Sequence, residues 1–388
     1  MKIAMISHLA SKSAPTGAER VLDLIARGLS ARGHQVTVST PGRWALASEL
    51  NDVGIEVREI HLRCCWLVQS EKQRLWRQVL RRLRFELPDH GVNALRDYLE
   101  EFSPDVVHVN CLPNLRGAEV ANRLGIPVLW HVHEILPSGA RRRWFAARLR
   151  RDATRIIAVS EAVAGWLREE GLGDLVEVVH NGVDPPTGRI DQSAAREQLD
   201  LPGDAVVIGL FSQLVEHKGA LEFVNAAHRA AAEDPSLHFM IAGHGPRAFA
   251  DRLRKSVASG AIADRIHLVP PQEEIWPLLA AVDAVAITTL WPDPLPRIVM
   301  EAMAVGLPVI GYTGGGVPEM VVDGKTGVLC APGDVDGLAA AMVRVARDEG
   351  LRRQLGEAGR DRSKRLFSVK RHVDLMEAAL QSASISAR

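Results

Sequence analysis

Cysteine is scarce in this sequence of 388 residues, and neither a long apolar run nor a net charge is present. The four cysteines, Cys64, Cys65, Cys111 and Cys330, show no disulfide framework and no CxxC pair with zinc-ligand spacing. We therefore expect free thiols in a reducing compartment.

No run approaches the ~20 apolar residues that span a bilayer. The apolar start of the chain, Met1–Ile6, is too short for the core of a signal peptide. Lys plus Arg number 47 and Asp plus Glu number 47, which argues against a strongly basic nucleic-acid binder. These absences predict a cytoplasmic protein without a nucleic-acid partner, and leave open a peripheral attachment to the inner face of a membrane.

Length and composition indicate a globular protein with more than one domain. Hydrophobic residues make up 47% and charged residues 24% of the chain, both ordinary values for a globular protein. At about 100–200 residues per domain, the length predicts two or three domains.

Short apolar runs rich in Val and Ile recur in the first half of the chain, separated by segments with helix-spaced apolar residues. The runs are Lys2–Ser7, Gln35–Ser39, Ile55–Ile60, Asp105–Val109, Pro127–Val132, Arg155–Val159 and Val176–His180. They are apolar at nearly every position, as parallel strands buried on both faces are. Strand followed by helix, repeated, predicts a doubly wound α/β domain.

A second series of such runs follows a break in the pattern. From Asp184 to about Gly203 the residues Pro, Gly, Asp and Ser dominate, which predicts a linker near residues 185–200. The later runs are Ala205–Ser212, Leu237–Ala242, Arg265–Val269, Asp283–Thr288, Leu307–Gly311 and Thr326–Cys330. We expect two Rossmann-like domains that face a central cleft, because such sheets bind ligands beyond the carboxyl ends of their strands.

Two loops between a strand and a helix carry residues suited to an anion. The first has Gly17 where a helix begins, and the free N–H groups of a helix start favour anions. It lacks the GxGxxG pattern, so a plain strand-to-helix turn is an equal alternative. The second has Lys218 and Gly219 just ahead of a helical run, where an ammonium and a helix dipole would act on a phosphate together. A solvated surface lysine is the alternative there.

Two acidic residues stand out in the segment Leu290–Ile310. Asp293 lies in a proline-rich loop, and Glu301 lies in a helix that precedes a strand. A carboxylate among Met, Ala and Val needs a hydroxyl, a cation or a ligand as its partner, because burying it unpaired costs several kcal/mol. Carboxylates that accept from ribose hydroxyls are one solution in Rossmann-type sites. An ordinary surface position for Glu301 is the alternative.

Three consecutive glycines, Gly314, Gly315 and Gly316, lie between a strand and a helix start, with Pro318 near the first helical position. Several N–H groups of such a run can point at one anion. A flexible loop is the alternative.

A DxD pattern at Asp334 and Asp336 could suggest a metal site. It directly precedes the helical run Gly337–Ala346, so we predict that one of the two carboxylates caps that helix. No other cluster of His, Cys or carboxylates has metal-ligand spacing, and we expect no bound metal.

Taken together, the motifs resemble those of a known family, the retaining glycosyltransferases of family 4. The segments that carry the resemblance are Gly17-Ala18-Glu19-Arg20, Arg32-Gly33-His34, His131-Val132-His133-Glu134, Ala158-Val159-Ser160, His180-Asn181-Gly182-Val183-Asp184, Lys218-Gly219, Ala242-Gly243-His244-Gly245-Pro246, Glu301-Ala302-Met303-Ala304 and Gly314-Gly315-Gly316-Val317-Pro318-Glu319. Their order and spacing over nearly the whole chain make the resemblance specific.

The resemblance implies the GT-B fold of two Rossmann-like domains and a metal-independent transfer, with retained anomeric configuration, from a nucleotide diphosphate sugar. The donor base stays open between UDP and GDP, and the acceptor between a glycan, a lipid-linked and a small molecule. No cofactor is expected. The implied regions are an acceptor-binding domain over residues 1–184, a donor-binding domain over 185–366, and a C-terminal helix over 367–388 that packs back toward the first domain.

Site residues follow from the resemblance position by position. The implied catalytic residues are His133, Asp293 and Glu301. The implied donor-binding residues are Gly17, Gln213, Lys218, Pro294, Leu295, Glu301, Gly314 and Gly315. Lys218 would bind the diphosphate, Glu301 the ribose hydroxyls, and Asp293 with the following backbone the sugar. His133 would face that sugar, and Gly17 would approach the phosphate or the acceptor.

Two positions depart from the family pattern. Asp293 stands where the family has glutamate, and Gln213 replaces an arginine, which removes a cation from the diphosphate site. We interpret both as tuning of the donor site. A non-catalytic or partner-dependent sugar-nucleotide-binding subunit with the same fold is the alternative function.

Two basic runs mark the acceptor side, Lys72–Phe85 and Arg141–Arg151. Basic helices with aromatic residues can lie on anionic membranes or hold anionic acceptors. A helix whose apolar stripe packs into its own domain is the alternative.

Overall fold

The computed structural model describes residues 1–12, 15–65, 85, 89–188 and 191–386. They form two compact units. The first unit contains Met1–Gly182 together with the C-terminal helix, and the second contains Val183–Ser368. Each unit is built on its own parallel sheet.

The first unit has a sheet in the order β3-β2-β1-β4-β5-β6-β7, with every strand pair parallel. Its strands are β1 (Lys2–Ile6), β2 (Gln35–Thr40), β3 (Glu56–Glu59), β4 (Val106–Asn110), β5 (Val128–Val132), β6 (Arg155–Ala158) and β7 (Val176–Val178). The strands β4 and β5 are buried at every position, because helices cover both faces of the sheet.

Helices of the first unit connect these strands. They are α1 (Gly17–Ser30), α2 (Ala47–Asp52), α3 (His90–Phe102), α4 (Leu115–Arg123), α5 (Ala140–Asp152) and α6 (Glu161–Glu169). Helix α1 begins with a capping box in which the Thr16 hydroxyl accepts from the Glu19 N–H, and the Glu19 carboxylate accepts from the Thr16 N–H.

The second unit has a sheet in the order β10-β9-β8-β11-β12-β13, again with every strand pair parallel. Its strands are β8 (Val206–Phe211), β9 (Leu237–Ala242), β10 (Ile266–Val269), β11 (Ala284–Ile287), β12 (Val309–Tyr312) and β13 (Gly327–Cys330). The prediction of two Rossmann-like parallel-sheet domains is thus confirmed.

Helices of the second unit are α7 (Gln192–Gln198), α8 (Ala220–Glu233), α9 (Arg247–Ala258), α10 (Trp276–Ala281), α11 (Arg297–Val305), α12 (Val317–Met320), α13 (Val335–Arg347) and α14 (Glu349–Leu366). Short 3-10 turns occupy Glu216–Lys218 and Ala263–Arg265. The capping prediction is confirmed, since Asp334 accepts from the Gly337 N–H at the start of α13.

One sequence expectation is wrong in detail, because the region read as a linker contains helix α7. Asp191 caps it by accepting from the Ser193 N–H. Its buried face includes Arg196, whose Nη2 lies 2.7 Å from Asp283 Oδ2. A short helix that buries an arginine shows no apolar periodicity, so the sequence pattern did not reveal it.

The C-terminal helix α15 (Val369–Ser386) belongs to the first unit and packs on α1. The absence of a Cβ at Gly28 permits this approach, since a Cβ there would lie 2.6 Å from Val373. Arg32 forms ion pairs of 2.5 Å with both Asp374 and Glu377. A tight apolar contact and a charged one therefore hold the end of the chain on the first unit.

Candidate active site

The sheet order of the second unit brings three loops together. Strands β8, β11 and β12 are neighbours, so the loops that follow them meet at one edge of the sheet. These loops carry Lys218, Asp293 and Gly314–Gly316, which are far apart in the sequence. The carboxyl ends of parallel strands are where such sheets bind ligands.

Lys218 and Asp293 form an ion pair at this edge. Lys218 Nζ lies 2.5 Å from Asp293 Oδ2, and the two side chains are 22% and 11% exposed. Lys218 ends the turn Glu216–Lys218, and helix α8 begins two residues later. Lys218 is therefore placed in the chain just before the positive end of α8, an arrangement suited to an anion.

The glycine loop after β12 packs directly on the backbone of Asp293 and Pro294. The Gly316 N–H donates to the Asp293 carbonyl oxygen at 2.8 Å. A Cβ on Gly315 would overlap that same oxygen, and one on Gly316 would overlap the Pro294 carbonyl. Gly315 also has φ +54°, which favours glycine. Close backbone packing thus requires glycine at positions 315 and 316 but not at Gly314, where a Cβ would meet nothing within 4 Å, and the Gly316 N–H is already engaged.

Glu301 on α11 is 7% exposed and pairs with a neighbour on its own helix. Its Oε1 accepts from Arg297 Nε at 2.6 Å. The expectation of a partner for this carboxylate is confirmed, and the partner is a cation. The sequence signal for it was the i,i+4 spacing of the two residues. Within the described part of the chain, Arg297 Nη1 is buried without a hydrogen-bond partner.

Gln213 lies in the loop after β8 with its side chain exposed. The loop is held against the segment Gly243–Gly245, where the Leu214 N–H donates to the His244 carbonyl. A Cβ on Gly243 or Gly245 would overlap carbonyl oxygens of this loop. These glycines therefore let the two loops lie in contact. In the loop after β11, Leu295, two residues after Asp293, is buried.

An aromatic stack beside the ion pair was not anticipated from the sequence. The rings of His217 and Trp291 are 4.9 Å apart and nearly parallel, at 15°. Trp291 is 44% exposed. The His217 carbonyl accepts from the Leu290 N–H, which ties the two loops side by side. Only the pairing of the loops after β8 and β11 brings these residues together.

In the first unit, Gly17 is the first residue of α1, and a Cβ there would meet nothing within 4 Å. Packing within this unit therefore does not require glycine at this position. Next to it, Glu19 is fully buried and accepts from the Ser11 N–H at 2.7 Å and the Ser11 hydroxyl at 2.6 Å. Glu19 thus fixes the loop between β1 and α1, a role that the sequence did not reveal.

His133 follows β5 and lies half-buried among other histidines. Its ring centre is 4.2 Å from that of His131. Burial, reinforced by neighbouring histidines, holds the pKa of His133 well below its usual range, so the ring is neutral. Among the residues described, Nε2 of His133 has no hydrogen-bond partner. A neutral ring with one unsatisfied nitrogen is suited to a hydroxyl group of a ligand.

Glu134, adjacent to His133, is a buried acid that sequence reasoning did not single out. Its carboxylate accepts from the Leu112 N–H at 3.1 Å and from the His133 N–H at 3.0 Å. Burial raises the pKa of Glu134 to about 7, although these hydrogen bonds oppose the shift. The carboxylate therefore orients the His133 backbone.

The sequence predicted two basic runs on the acceptor side. Except for Phe85, the run Lys72–Phe85 lies outside the described residues. The run Arg141–Arg151 lies on α5, and three of its six arginines form ion pairs with acids. The pairs join Arg142 to Glu169 and Glu170, Arg150 to Asp174, and Arg151 to Asp152. Contact with a membrane stays a prediction.

Among the described residues, no helix has the length and apolar character needed to cross a membrane. Nor do three or more His, Cys, Asp or Glu side chains in the described ranges gather in a way that could hold a metal ion.

Family models match most of the chain. The model described as Glycosyltransferase Family 4 matches residues 15–186, and the one described as Glycosyl transferases group 1 matches residues 191–362. The chain is 27% identical to the lipopolysaccharide core biosynthesis glycosyltransferase LpsE of Rhizobium meliloti over 353 residues, which cover 89% of this chain and 90% of the relative. It is 28% identical to a glycogen synthase of Mycobacterium tuberculosis, over 67% of this chain and 64% of that one.

Solved structures show the same architecture. Anabaena HepE in complex with UDP-glucose superposes with a TM-score of 0.82 at 25% identity, covering 98% of this chain and 100% of that one. Sucrose-phosphate synthase from Thermosynechococcus elongatus superposes with a TM-score of 0.75 at 21% identity, covering 98% of both chains. The chain belongs to the group 1 glycosyltransferases and has the GT-B fold.

Proposed function

We propose that this glycosyltransferase moves a sugar from a UDP-sugar to a hydroxyl group of an acceptor, with retention of anomeric configuration and without a metal ion. The nucleotide sugar is a substrate, and no cofactor takes part. The UDP-glucose complex of Anabaena HepE supports UDP as the donor base. The acceptor is a glycan, a lipid-linked or a small molecule, and the name of LpsE, a lipopolysaccharide core enzyme, favours the first two.

The ion pair between Lys218 and Asp293 carries this proposal. Without donor, the ammonium group has one carboxylate oxygen at 2.5 Å and can donate two more hydrogen bonds. A diphosphate bound at the start of α8 would take these, so that Lys218 lies between the phosphate and Asp293. Asp293, held in place by the glycine loop, would then accept from sugar hydroxyls.

In the reaction, the bond between the anomeric carbon and the β-phosphate oxygen breaks. A new bond to the acceptor oxygen forms on the same face of the sugar, and the proton of the acceptor hydroxyl passes to the departing β-phosphate oxygen, on which negative charge collects. A fixed ammonium group and the N–H groups at a helix start stabilise that charge where it develops. This arrangement supplies the stabilisation that a metal ion provides in other transferases.

Other residues of the second unit would bind the rest of the donor. Glu301, held by Arg297, would accept from the ribose hydroxyls. The N–H groups of Gly314 and Gly315, with the backbone of Pro294 and Leu295, would face the phosphate and the sugar. The exposed side chain of Gln213 would lie at the diphosphate, in the position where the family has an arginine.

For two residues of the first unit we propose the roles that the resemblance implies. The open space at Gly17 would admit a ligand against the start of α1. The unsatisfied Nε2 of His133 would form a hydrogen bond with a sugar hydroxyl. Both roles rest on the resemblance together with these local features.

Donor binding is tested with charge-neutral variants of the two central residues. Lys218→Met and Glu301→Gln should each weaken the binding of UDP-glucose, measured by calorimetry, by roughly 10- to 100-fold, since a charge-assisted hydrogen bond contributes about 1.5–3 kcal/mol. Lys325→Met and Glu357→Gln remove exposed charges of the same kind in the same unit and should bind as the unaltered chain does. Unchanged affinity in both site variants would refute the assignment.

Turnover and stereochemistry need separate measurements. UDP release with candidate acceptors distinguishes the enzyme from the alternative, a subunit that binds the donor without turnover. The anomeric coupling constant of the product, measured by NMR, should match that of an α-linked donor, and addition of EDTA should leave the rate unchanged. A β-linked product would disprove retention, and loss of activity with EDTA would disprove metal independence.

A further inference from the structure

A cavity in the first unit is not used by the groups described so far. Its volume is about 1020 Å³, at the upper end of the roughly 300–1,000 Å³ typical of small-molecule sites. Its lining includes Leu9 and Lys12 after β1, Arg43 after β2, and Leu62 and Arg63 after β3. These strands are neighbours, and the residues follow their carboxyl ends, the edge where such sheets bind ligands.

Positive charge predominates in this cavity. Among the described residues that line it, Lys12, Arg43 and Arg63 stand against one acid, Glu59. Glu59 Oε1 already lies 3.3 Å from His61 Nε2. A concave wall with charge of one sign concentrates the field and attracts ligands of the opposite sign.

Lys12 and Arg43 lack an acidic partner in the part of the chain that the structure describes. Within the described ranges, neither Lys12 nor Arg43 forms an ion pair or a side-chain hydrogen bond, and both side chains are exposed to the cavity. Burial raises the pKa of the Cys64 thiol to about 12, so it adds no negative charge. Burial also lowers the pKa of His8 to about 4, so it is neutral at pH 7. The positive charges of Lys12 and Arg43 are therefore available to an anionic ligand.

Helix α5 offers a contrast within the same unit. There Arg142, Arg150 and Arg151 are matched by acidic residues at 2.7 to 2.9 Å. Half of the arginines of α5 are therefore neutralised by neighbouring acids. The cavity has fewer basic residues, but Lys12 and Arg43 have no acidic partner among the described residues.

We propose that the cavity binds the acceptor, and that the acceptor carries an anionic group, a phosphate or a carboxylate, recognised by Lys12 and Arg43. The proposal rests on the transferase function proposed above. Apolar walls from Leu9, Leu62 and Phe85 would contact the carbon skeleton of the acceptor. The volume admits a molecule the size of a monosaccharide or disaccharide together with its anionic group.

The test uses the full-length chain saturated with UDP, which occupies the donor site. Glucose 6-phosphate, glucuronate and glucose are titrated by calorimetry, so that a phosphate, a carboxylate and a neutral sugar are compared on one skeleton. We expect both acids to bind at least about fivefold more tightly than glucose, the factor that one partly exposed charge pair contributes. The advantage should shrink when NaCl is raised from about 50 to about 300 mM.

Variants assign the effect to the cavity. Lys12→Gln and Arg43→Gln should each reduce the affinity for the acids about fivefold and leave that for glucose unchanged. Arg143→Gln removes an exposed arginine of α5 in the same unit and serves as the matched control. Binding of UDP-glucose should be the same in all three variants. The preferred acid, phosphate or carboxylate, identifies the anionic group.

The outcomes separate this inference from the proposed function. Equal binding of glucose and both acids, or an unaltered preference in Lys12→Gln and Arg43→Gln, overturns the anionic acceptor while the donor chemistry stands. Loss of the preference in Arg143→Gln alone would place the anion on α5 and likewise overturn it. Failure of the unaltered chain to bind UDP-glucose would instead refute the transferase proposal.

Discussion

Acid should destabilise the first unit, because several of its histidines are buried in the neutral form. His108 on β4 and His131 on β5 are fully buried, and His108 Nε2 lies 3.3 Å from His131 Nδ1. His372 on α15 donates from Nδ1 to the His180 carbonyl at 2.8 Å. Burial lowers the pKa of His108 to about 3 and that of His372 to about 4, from an ordinary value of 6.5.

The sign follows from proton binding in the two states. Below pH 6.5 the unfolded chain protonates each histidine, whereas folded His108 stays neutral until about pH 3. Stability is therefore lost as the pH falls through 6.5, at about 1.4 kcal/mol per pH unit for each ring. Between pH 7 and pH 5 His108 alone accounts for about 2 kcal/mol. Glu134 opposes this trend, because its pKa is raised to about 7 and the folded carboxyl takes up a proton over the same range.

A single-residue variant separates these contributions. His108→Gln keeps a hydrogen-bonding group but does not titrate. Amide hydrogen exchange in peptides that cover β4 and β5, corrected for the intrinsic rate at each pH, measures the local opening free energy. The fall between pH 7 and pH 5 should be about 2 kcal/mol larger in the unaltered chain than in His108→Gln. His90→Gln, an exposed histidine at the start of α3, is the control and should behave as the unaltered chain does.

The reasoning fails if His108→Gln loses as much opening free energy on acidification as the unaltered chain. It also fails if the opening free energy of the unaltered chain rises between pH 7 and pH 5. The second result would mean that proton uptake by Glu134 in the folded state outweighs proton uptake by the histidines in the opened state.

Three further substitutions probe the site from different sides. Gly17→Ala should leave the melting temperature unchanged, because a Cβ there meets nothing within 4 Å, yet lower kcat/KM at least about tenfold by filling space meant for a ligand; an unaltered rate would remove Gly17 from the site. Gly315→Ala should destabilise the second unit by about 2 kcal/mol or more, seen as a lower melting temperature, since φ is +54° and the Asp293 carbonyl blocks the Cβ; an unchanged melting temperature contradicts this packing. Gln213→Arg should tighten UDP binding about tenfold in calorimetry, because it adds a charge-assisted hydrogen bond to the diphosphate; equal or weaker binding would show that the position does not face the phosphate.

Strands and helix starts could be predicted well from the sequence. A buried parallel strand is apolar whichever strand lies beside it, so the apolar pattern of a run such as Leu237–Ala242 is enough to predict a strand. Caps are local too: Asp334 directly precedes α13 and accepts from the Gly337 N–H, three residues later in the chain. Helix α7 was missed because its buried face includes Arg196, whose partner Asp283 is remote in the sequence.

The candidate site could be predicted only as separate motifs. Lys218, Asp293 and Glu301 were identified singly, and their roles in the reaction stay predictions. The ion pair between Lys218 and Asp293 joins residues 75 positions apart. The pair forms because β8 and β11 are neighbours in the sheet. The sequence of a strand does not show which strand will lie beside it.

By itself, the sequence determined the fold class, the strand and helix pattern and the order of motifs, because periodicity and capping act over a few residues. The tertiary structure alone decided the partners. It placed Lys218 on Asp293, matched Arg142 and Arg150 of α5 with acids from elsewhere in the unit, and left Lys12 and Arg43 without an acidic partner among the described residues. Charge pairing depends on which loops the sheet order makes neighbours, and that order is a property of the folded chain.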